Sequence, residues 1–203
     1  MLNNHILSIC ILSYNQADQL NKLLSQIHRQ FNPCLEILIR DDSIDNKSKI
    51  IINKFKDKMP IKAYYGKKEG IDEAIIFLTH KASGDFIWWL GDDYLSTNAI
   101  KKVLAVIKKD SSVSFIWANY KIISTNKKAV DQKNNRYFKS KGEILDLVGP
   151  AIGFLSSTIL KTSLAKKSLQ IAKDYKGTFF SNLYIVCFVI AKSKETFLIN
   201  DTV

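Results

Sequence analysis

The chain has 203 residues, of which 46% are hydrophobic and 24% are charged, and this ordinary globular composition excludes a disordered or low-complexity protein. Its formal net charge of +11 favours polyanionic partners such as nucleic acid, an anionic membrane surface or phosphorylated small molecules. The lysines are spread along the chain, and we expect no nucleic-acid partner because the one basic cluster outside predicted helices is loose: Lys127, Lys128, Lys133 and Arg136.

Apolar runs alternate with amphipathic segments along the first half of the chain. Strands are predicted at residues 6–12, 35–39, 61–65 and 86–90, and helices at residues 20–31, 45–55, 71–82 and 97–108. Such alternation is typical of βαβ units, whose parallel strands are joined by right-handed crossovers. The run at 86–90 shows no polar alternation, so it predicts a central strand that is covered on both faces.

The second half of the chain is less regular. Residues 113–123 predict a strand or a bent pair of strands, and the polar, basic segment 124–141 predicts a loop or hairpin over a functional site. Helices are predicted at 142–148, 163–173 and 181–191, and strands at 154–160 and 196–199. The chain stops directly after the last strand, which suggests that a C-terminal part is missing. We expect one α/β domain over residues 1–203, with a mostly parallel central sheet flanked by helices.

Cysteine and histidine usage argues against a disulfide framework and against a zinc centre. Cys10, Cys34 and Cys187 are odd in number, far apart and without a CxxC spacing, and the three histidines also lack metal-ligand spacing. The N-terminus has no basic segment followed by a long apolar run, so no signal peptide is predicted. These features predict a cytoplasmic protein in a reducing compartment.

Polar groups follow three of the predicted strands at their carboxyl ends. These groups are Ser13-Tyr14-Asn15, Asp41-Asp42-Ser43 and Gly91-Asp92-Asp93. In open α/β sheets ligands bind in the crevice outside the carboxyl ends of the strands, so we expect the three groups to meet at one cleft. The alternative is purely local, with Asp42 or Ser43 capping a helix and the other groups forming turns.

The three groups, in this order, resemble the motifs of the GT-A-type glycosyltransferases, in particular of family 2 and its bacterial members that build surface polysaccharides. In that family a first strand ends in a Thr/Ser-Tyr-Asn element and a second in Asp-Asp-x-Ser. A glycine before the third helix and a small-Gly-acidic step before the metal motif complete the pattern, and here they read Gly70 and Ser83-Gly84-Asp85. The resemblance covers residues 1–120, the expected nucleotide-sugar-binding half, and leaves residues 121–203 as the acceptor half.

The resemblance implies a single Rossmann-like GT-A domain that moves a sugar, with inversion, from a nucleotide-diphospho-sugar to a glycan or lipid-linked acceptor. Asp41 or Asp42 would accept a hydrogen bond from the base, in a nucleotide pocket formed by Ser13, Tyr14, Asn15, Asp41, Asp42, Gly70 and Asp92. Asp93 would be the main metal ligand, assisted by Asp92, and hard carboxylate oxygens suit Mn²⁺ or Mg²⁺. Such an ion would neutralise the departing pyrophosphate.

Two departures from the family pattern bear on the mechanism. The family often has a third aspartate in the metal motif, whereas Gly91 precedes the pair here and Tyr94 follows it. The family's Glu-Asp at a helix start, which supplies the general base, is replaced by Thr178 and Phe179. We take Asp146 as the candidate base from the remaining carboxylates of the acceptor half, each of which is also explicable as a solvated helix residue: Glu143, Asp146 and Asp174.

Two other functions stay open at this point. A GT-A-like module that lacks a general base would be a binding or assembly subunit. A sugar-nucleotide nucleotidyltransferase is disfavoured, because Ser13-Tyr14-Asn15-Gln16 stands where such enzymes have a Gly-rich phosphate-binding loop. For the transferase, Ser156 and Ser157 are candidates to contact the acceptor or the diphosphate. The positive charge of the chain predicts peripheral contact with an anionic membrane.

Overall fold

In a computed structural model, which describes residues 5–202, the chain forms an α/β fold around one eight-stranded sheet. The strands are β1 (Leu7–Ser13), β2 (Leu35–Asp41), β3 (Ile61–Tyr65), β4 (Phe86–Leu90), β5 (Val113–Ala118), β6 (Lys121–Ile122), β7 (Lys127–Lys128), β8 (Arg136–Phe138), β9 (Thr158–Lys161) and β10 (Glu195–Ile199). The helices are α1 (Ala17–Arg29), α2 (Lys47–Lys56), α3 (Ile71–Lys81), α4 (Ala99–Lys109), α5 (Lys141–Val148), α6 (Thr162–Ala172) and α7 (Ser181–Lys192). Up to α4 these bounds agree with the predicted ones to within three residues.

The sheet is mostly parallel, as predicted. Its strand order is β3-β2-β1-β4-β9-β5-β10-β8. Strands β1 to β4 pair in parallel, β5 pairs in parallel with β10, and β9 is antiparallel to both β4 and β5. Six strands therefore point the same way, and only β9 and β8 run against them. The carboxyl ends of β1, β2 and β4 consequently lie side by side at one edge of the sheet.

The prediction of one strand at residues 154–160 is wrong in its first half. Residues Leu155–Ser157 form a 3-10 turn, in which the Ser157 N–H donates to the Phe154 carbonyl at 3.1 Å, and β9 begins only at Thr158. The indole N–H of Trp88 donates to the Ser156 carbonyl at 2.7 Å. This long-range hydrogen bond holds the turn against β4 and removes its backbone from the ladder.

Residues 113–123 contain two strands, β5 and β6, which is the second of the two alternatives predicted for this segment. Strand β5 stops at Ala118, because the buried Asn119 side chain binds the Val130 backbone at both its N–H (3.2 Å) and its carbonyl (2.7 Å). Beyond this point β6 and β7 form a separate two-stranded hairpin. Strand β8 lies inside the region predicted as a loop or hairpin, and it pairs antiparallel with β10 at the edge of the main sheet.

Two apolar layers cover the sheet because successive side chains of a buried strand point to opposite faces. Trp88 packs in the layer formed with α1, α2 and α4, whereas Trp89 packs in the layer formed with α3, α5, α6 and α7. Both indoles are fully buried, as the unbroken apolar run of β4 predicts. No helix within residues 5–202 has both the length and the hydrophobicity required to cross a bilayer.

A buried carboxylate stabilises the amino-terminal edge of the sheet. Glu36, 2% exposed, accepts hydrogen bonds from Ser8 Oγ at 2.8 Å, the Ser83 N–H at 2.8 Å and Lys62 Nζ at 2.9 Å. Burial alone would raise the pKa of Glu36, but these hydrogen bonds lower it below its ordinary value. A Cβ at the neighbouring Gly84 would lie 2.8 Å from the Ser8 nitrogen, so glycine is required for this approach.

Replacing Glu36 by glutamine is expected to lower the free energy of unfolding by about 2 kcal/mol at neutral pH, because charge-assisted hydrogen bonds are lost. A carboxyl group with a lowered folded-state pKa contributes stability above its unfolded pKa and loses that contribution as the pH falls through the folded pKa. Urea titrations of both proteins should therefore converge in acid. A difference in unfolding free energy that stays constant with pH would refute the lowered pKa of Glu36. The variant Lys62→Met, which leaves the hydrogen bonds from Ser8 and Ser83 in place, should lose less unfolding free energy than Glu36→Gln.

Candidate functional site

The end of β1 is shaped by Asn15, whose backbone lies in the left-handed region with φ of +54°. Asparagine tolerates this conformation better than most residues. Its N–H donates to Ser43 Oγ at 2.8 Å, and its Oδ1 accepts a hydrogen bond from the Ile44 N–H at 3.1 Å. Ser43 Oγ donates in turn to the buried Asp41 carboxylate at 2.6 Å. Asn15 and Asp41 thereby tie the loop after β1 to the loop after β2.

Asp42, the next residue, is held by a buried guanidinium. Arg40 Nε donates to Asp42 Oδ1 at 2.9 Å, and Arg40 Nη2 donates to Glu69 Oε2 at 2.5 Å. Burial alone would lower the pKa of Arg40, but the hydrogen bonds to the two carboxylates raise it. Gly66 passes so close that a Cβ there would lie 2.6 Å from Asp42 Oδ1. The Asp42 carboxylate is therefore fixed in orientation.

Asp92 and Asp93 follow β4 and have different surroundings. Asp92 is exposed and accepts a hydrogen bond from Gln16 Nε2 at 3.3 Å. Asp93 is half-buried and accepts a hydrogen bond from Ser156 Oγ at 2.6 Å, and Ser156 is the residue whose carbonyl Trp88 holds. Burial raises the pKa of Asp93, and the Asp92 charge adds to this rise while the Ser156 hydrogen bond opposes it.

Two cavities meet at this pair of carboxylates. The first, about 440 Å³, is named here the Asp92 cavity and is lined by Leu12, Ser13, Tyr14, Gln16, Asp42, Lys68, Gly70, Ile71, Ala74, Gly91, Asp92, Leu155 and Phe179. The second, about 780 Å³, is named the Asp93 cavity and is lined by Asp93, Tyr94, Leu95, Ser96, Tyr120, Lys121, Ile122, Ile123, Ser124, Phe154, Ser156 and Thr202. Each is large enough for a small molecule, so two ligands could be bound next to the carboxylate pair at the same time.

The carboxylate pair fits a divalent ion that is shared with a phosphorylated ligand. Within the described part of the chain, no group of three or more His, Cys, Asp or Glu side chains is arranged to hold a metal. Mg²⁺ and similar ions are commonly held by one or two carboxylates, with substrate phosphates and water completing the coordination. Neither Asp92 nor Asp93 forms an ion pair within residues 5–202, so a cation would relieve their mutual repulsion.

The structure brings most of the predicted site residues together. Asp93 lines the Asp93 cavity. Five others line the Asp92 cavity: Ser13, Tyr14, Asp42, Gly70 and Asp92. Asn15 and Asp41 line neither cavity and act through the loop contacts described above. The structure does not bring Asp146 to the site, because this residue is exposed on α5 and lines neither cavity. Glu143 on the same helix pairs with Arg136 at 2.6 Å.

Lys68 was not singled out by the sequence analysis, although it lines the Asp92 cavity. Its ammonium lies 4.7 Å from the centre of the Tyr14 ring. The signal was present in the sequence, because Lys67-Lys68-Glu69-Gly70 follows β3 as the other polar groups follow their strands. A cation at this edge of the sheet is suited to a phosphate group. Gln16 was missed for a different reason, since nothing local indicates its hydrogen bond to Asp92.

Phe179 forms part of the wall of the Asp92 cavity in the region where the family's Glu-Asp is absent. Its backbone has a left-handed φ of +65°, which is strained for an aromatic residue. Asp72, buried in the first turn of α3, accepts hydrogen bonds from the N–H groups of Phe179 at 2.9 Å and Ser181 at 3.2 Å. This carboxylate therefore has a structural role, and it holds the start of α7 against α3.

Comparison with known proteins gives one family. The model of glycosyl transferase family 2 matches residues 8–176. The chain is similar to the UDP-Glc:alpha-D-GlcNAc-diphosphoundecaprenol beta-1,3-glucosyltransferase WfgD of Escherichia coli, with 26% identity over 129 residues that cover 62% of this chain and 49% of that protein. It spans about half the length of the curated relatives it matches, between 45% and 64%.

Solved glycosyltransferase structures share the fold. S. aureus TarS 1-349 in complex with UDP-GlcNAc superposes with a TM-score of 0.77 at 16% identity, over 97% of this chain and 56% of that chain. The mannosyltransferase PcManGT from Pyrobaculum calidifontis, in complex with GDP-Man and Mn²⁺, gives a TM-score of 0.57 at 13% identity, over 81% of this chain and 46% of that chain. At these identities the likeness shows the GT-A fold alone.

Proposed function

Because this chain belongs to glycosyl transferase family 2, we propose that it transfers a sugar from a nucleotide-diphospho-sugar to a glycan or lipid-linked acceptor. The observation that carries the proposal is the meeting of two cavities at Asp92 and Asp93. The donor occupies the Asp92 cavity and the acceptor the Asp93 cavity. Transfer then takes place at the carboxylate pair between them.

The Asp92 cavity has polar groups suited to each part of a nucleoside diphosphate. Asp42, fixed by Arg40, accepts a hydrogen bond from an N–H of the base. Ser13 and Tyr14 line the part of the cavity that takes the base and the ribose, and the Lys68 ammonium neutralises phosphate charge. TarS, which shares the fold, has been solved with UDP-GlcNAc, and this supports the choice of a nucleotide sugar as ligand.

A divalent ion, Mn²⁺ or Mg²⁺, belongs to this proposal, with Asp93 and Asp92 as its protein ligands. When bound, such an ion stabilises the negative charge of the departing diphosphate as a Lewis acid. Ser156 donates to one oxygen of Asp93 and thereby fixes the rotamer of the carboxylate. The Mn²⁺ bound with GDP-Man in PcManGT supports this assignment.

The acceptor approaches from the Asp93 cavity. An inverting single displacement needs donor and acceptor bound at the same time, and two cavities that share no lining residue give each of them a place of its own at the carboxylate pair. Within residues 5–202, Asp93 is the only carboxylate that lines the Asp93 cavity. The aromatic rings of Tyr120 and Phe154, 4.1 Å apart between centroids, offer apolar faces for a sugar ring.

The acceptor class and the location follow from further features. WfgD carries GlcNAc-diphosphoundecaprenol in its name, which supports a lipid-linked acceptor for this similar chain. Cys10, Cys34 and Cys187 are free thiols, which agrees with a reducing cytoplasm. We therefore place the reaction on the cytoplasmic side of a membrane that carries the acceptor.

A thermal-shift panel of UDP, GDP, CDP and dTDP, each with and without Mn²⁺, tests the donor site. One nucleotide is expected to stabilise the protein in a Mn²⁺-dependent manner, by roughly 2.7 kcal/mol at 100 times its dissociation constant. Hydrolysis of the matching nucleotide sugar then separates a transferase from a binding module, which would bind without turnover. Release of pyrophosphate from a nucleoside triphosphate and a sugar phosphate would instead indicate a nucleotidyltransferase. A panel without any shift would refute the proposal.

A further inference from the structure

The β6–β7 hairpin, residues 121–128, stands outside the packed body of the protein. Every one of its eight residues is exposed, and Ile123 at the turn is 79% exposed while Ile122 in β6 is 46% exposed. Single exposed isoleucines are common on protein surfaces. Two adjacent ones at the tip of a hairpin, with no packing role, need another explanation.

The segment 121–141, which begins with the hairpin, holds most of the excess charge of the molecule. Residues 121–141 contain six lysines and one arginine against a single aspartate, in a chain whose net charge is +11. Lys121 and Lys128 lie directly opposite each other in the hairpin. Like charges at such paired positions destabilise a two-stranded ribbon, which is marginal to begin with. An anionic partner would remove this repulsion.

The base of the hairpin is rigidly attached, so its tip has a defined direction. The fully buried Asn119 side chain donates to the Val130 carbonyl and accepts from the Val130 N–H. The Ala129 N–H donates to the Tyr120 carbonyl at 3.0 Å. Lys128 Nζ donates to the Asn200 carbonyl at 3.2 Å. The exposed residues beyond these contacts are therefore presented by a fixed support.

We propose that the β6–β7 hairpin docks on an anionic bilayer, with Ile122 and Ile123 entering the interface and the surrounding lysines contacting lipid headgroups. A bilayer matches both features, because it offers negative charge and an apolar phase within a few ångströms of each other. A soluble polyanion would match the lysines only. The proposal therefore differs from general electrostatic attraction in assigning a role to the two isoleucines.

Docking in this way would bring the Asp93 cavity to the membrane surface. Lys121, Ile122, Ile123 and Ser124 form part of the wall of that cavity as well as part of the hairpin. This inference rests on the proposed function: a lipid-linked acceptor would enter the Asp93 cavity from the bilayer, with its saccharide toward Asp93. Membrane binding itself needs no catalysis, so the two proposals fail separately.

Flotation with vesicles tests the proposal on the whole chain. Wild-type protein is expected to float with vesicles of equal parts phosphatidylcholine and phosphatidylglycerol and to remain behind with pure phosphatidylcholine. The double variant Ile122→Ser/Ile123→Ser should bind on the order of tenfold more weakly, because apolar area no longer enters the interface. The variant Lys127→Gln/Lys133→Gln should bind on the order of thirtyfold more weakly. Ile50→Ser on α2, an isoleucine that is 56% exposed, is the matched control and should bind as wild type.

Two results would overturn the proposal. Wild-type protein that fails to float with the mixed vesicles has no bilayer affinity. If the serine double variant floats as well as the wild-type protein, the protein is held on the vesicles by charge alone. Heparin binding that is lost only in the lysine variant would then identify a soluble polyanion as the partner.

Discussion

Replacing Asp93 by asparagine is expected to lower the rate of sugar transfer on the order of 10³-fold, while the protein stays folded. Asp93 is the half-buried member of the carboxylate pair, it lines the cavity assigned to the acceptor, and Ser156 fixes its rotamer. An amide of the same shape keeps the packing but removes the charge that would hold the metal. Initial rates at saturating donor and Mn²⁺ measure the effect.

The matched control for this prediction is Asp146→Asn. The sequence nominates Asp146 as the candidate base, but it is exposed on α5 and lines neither cavity, so we expect activity within about twofold of wild type. A large loss of activity for Asp146→Asn, together with a small loss for Asp93→Asn, would contradict our placing of Asp93 in the active site and of Asp146 outside it.

Replacing Asp42 by alanine is expected to cost about 3 kcal/mol of unfolding free energy and to weaken nucleotide binding at least about tenfold. Arg40 and Asp42 are almost fully buried, with side chains 7% and 9% exposed, so removing the carboxylate leaves the guanidinium largely unpaired. Glu69 retains its contact with Arg40, and this keeps the cost near the lower end of the range for broken buried pairs. Urea denaturation and calorimetric titration with the preferred nucleotide measure the two effects.

Asp45→Ala is the matched control, because Asp45 lies three residues further on and its pair with Lys47 is exposed and 3.4 Å long. It should change the stability by less than about 1 kcal/mol. The double variant Arg40→Met/Asp42→Ala should be less destabilised than Asp42→Ala, since no buried charge is left without a partner. Equal losses in the two would show that the cost arises from packing and not from the stranded guanidinium.

The strand ends could be predicted from the sequence because they depend on local patterns. An unbroken apolar run such as 86–90 implies a strand buried on both faces, and the polar residues after it then fall at the sheet edge. The fully buried Trp88 and Trp89 bear out that interpretation. The positions of Asp42 and Asp92 in one cavity follow from the parallel order of β2, β1 and β4.

Features that depend on contacts between distant segments could not be predicted. Nothing local to residues 154–160 reveals that the Trp88 indole binds the Ser156 carbonyl and turns a predicted strand into a 3-10 turn. The same turn aims Ser156 at Asp93, so the missed structure is part of the site. Asn15 is a similar case, since its left-handed backbone and its hydrogen bond to Ile44 assign it to loop geometry and not to the cavity wall.

The insertion of β9 between β4 and β5 was also beyond the sequence pattern. Alternating strands and helices predict parallel neighbours, whereas this four-residue strand runs antiparallel to both of its partners. Short strands carry too few residues for periodicity to indicate direction. Through β9 the second half of the chain delivers the Leu155–Ser157 turn to the centre of the site.

The most direct test of the account is a crystal structure of the protein with Mn²⁺ and the nucleoside diphosphate that stabilises it, using the anomalous signal of the metal. We predict one Mn²⁺ peak within about 2.3 Å of an Asp93 or Asp92 carboxylate oxygen, bridging to the diphosphate, with the base against Asp42 in the Asp92 cavity. A nucleotide bound elsewhere, or a metal peak away from both aspartates, would contradict the assignment of this cleft as the donor site.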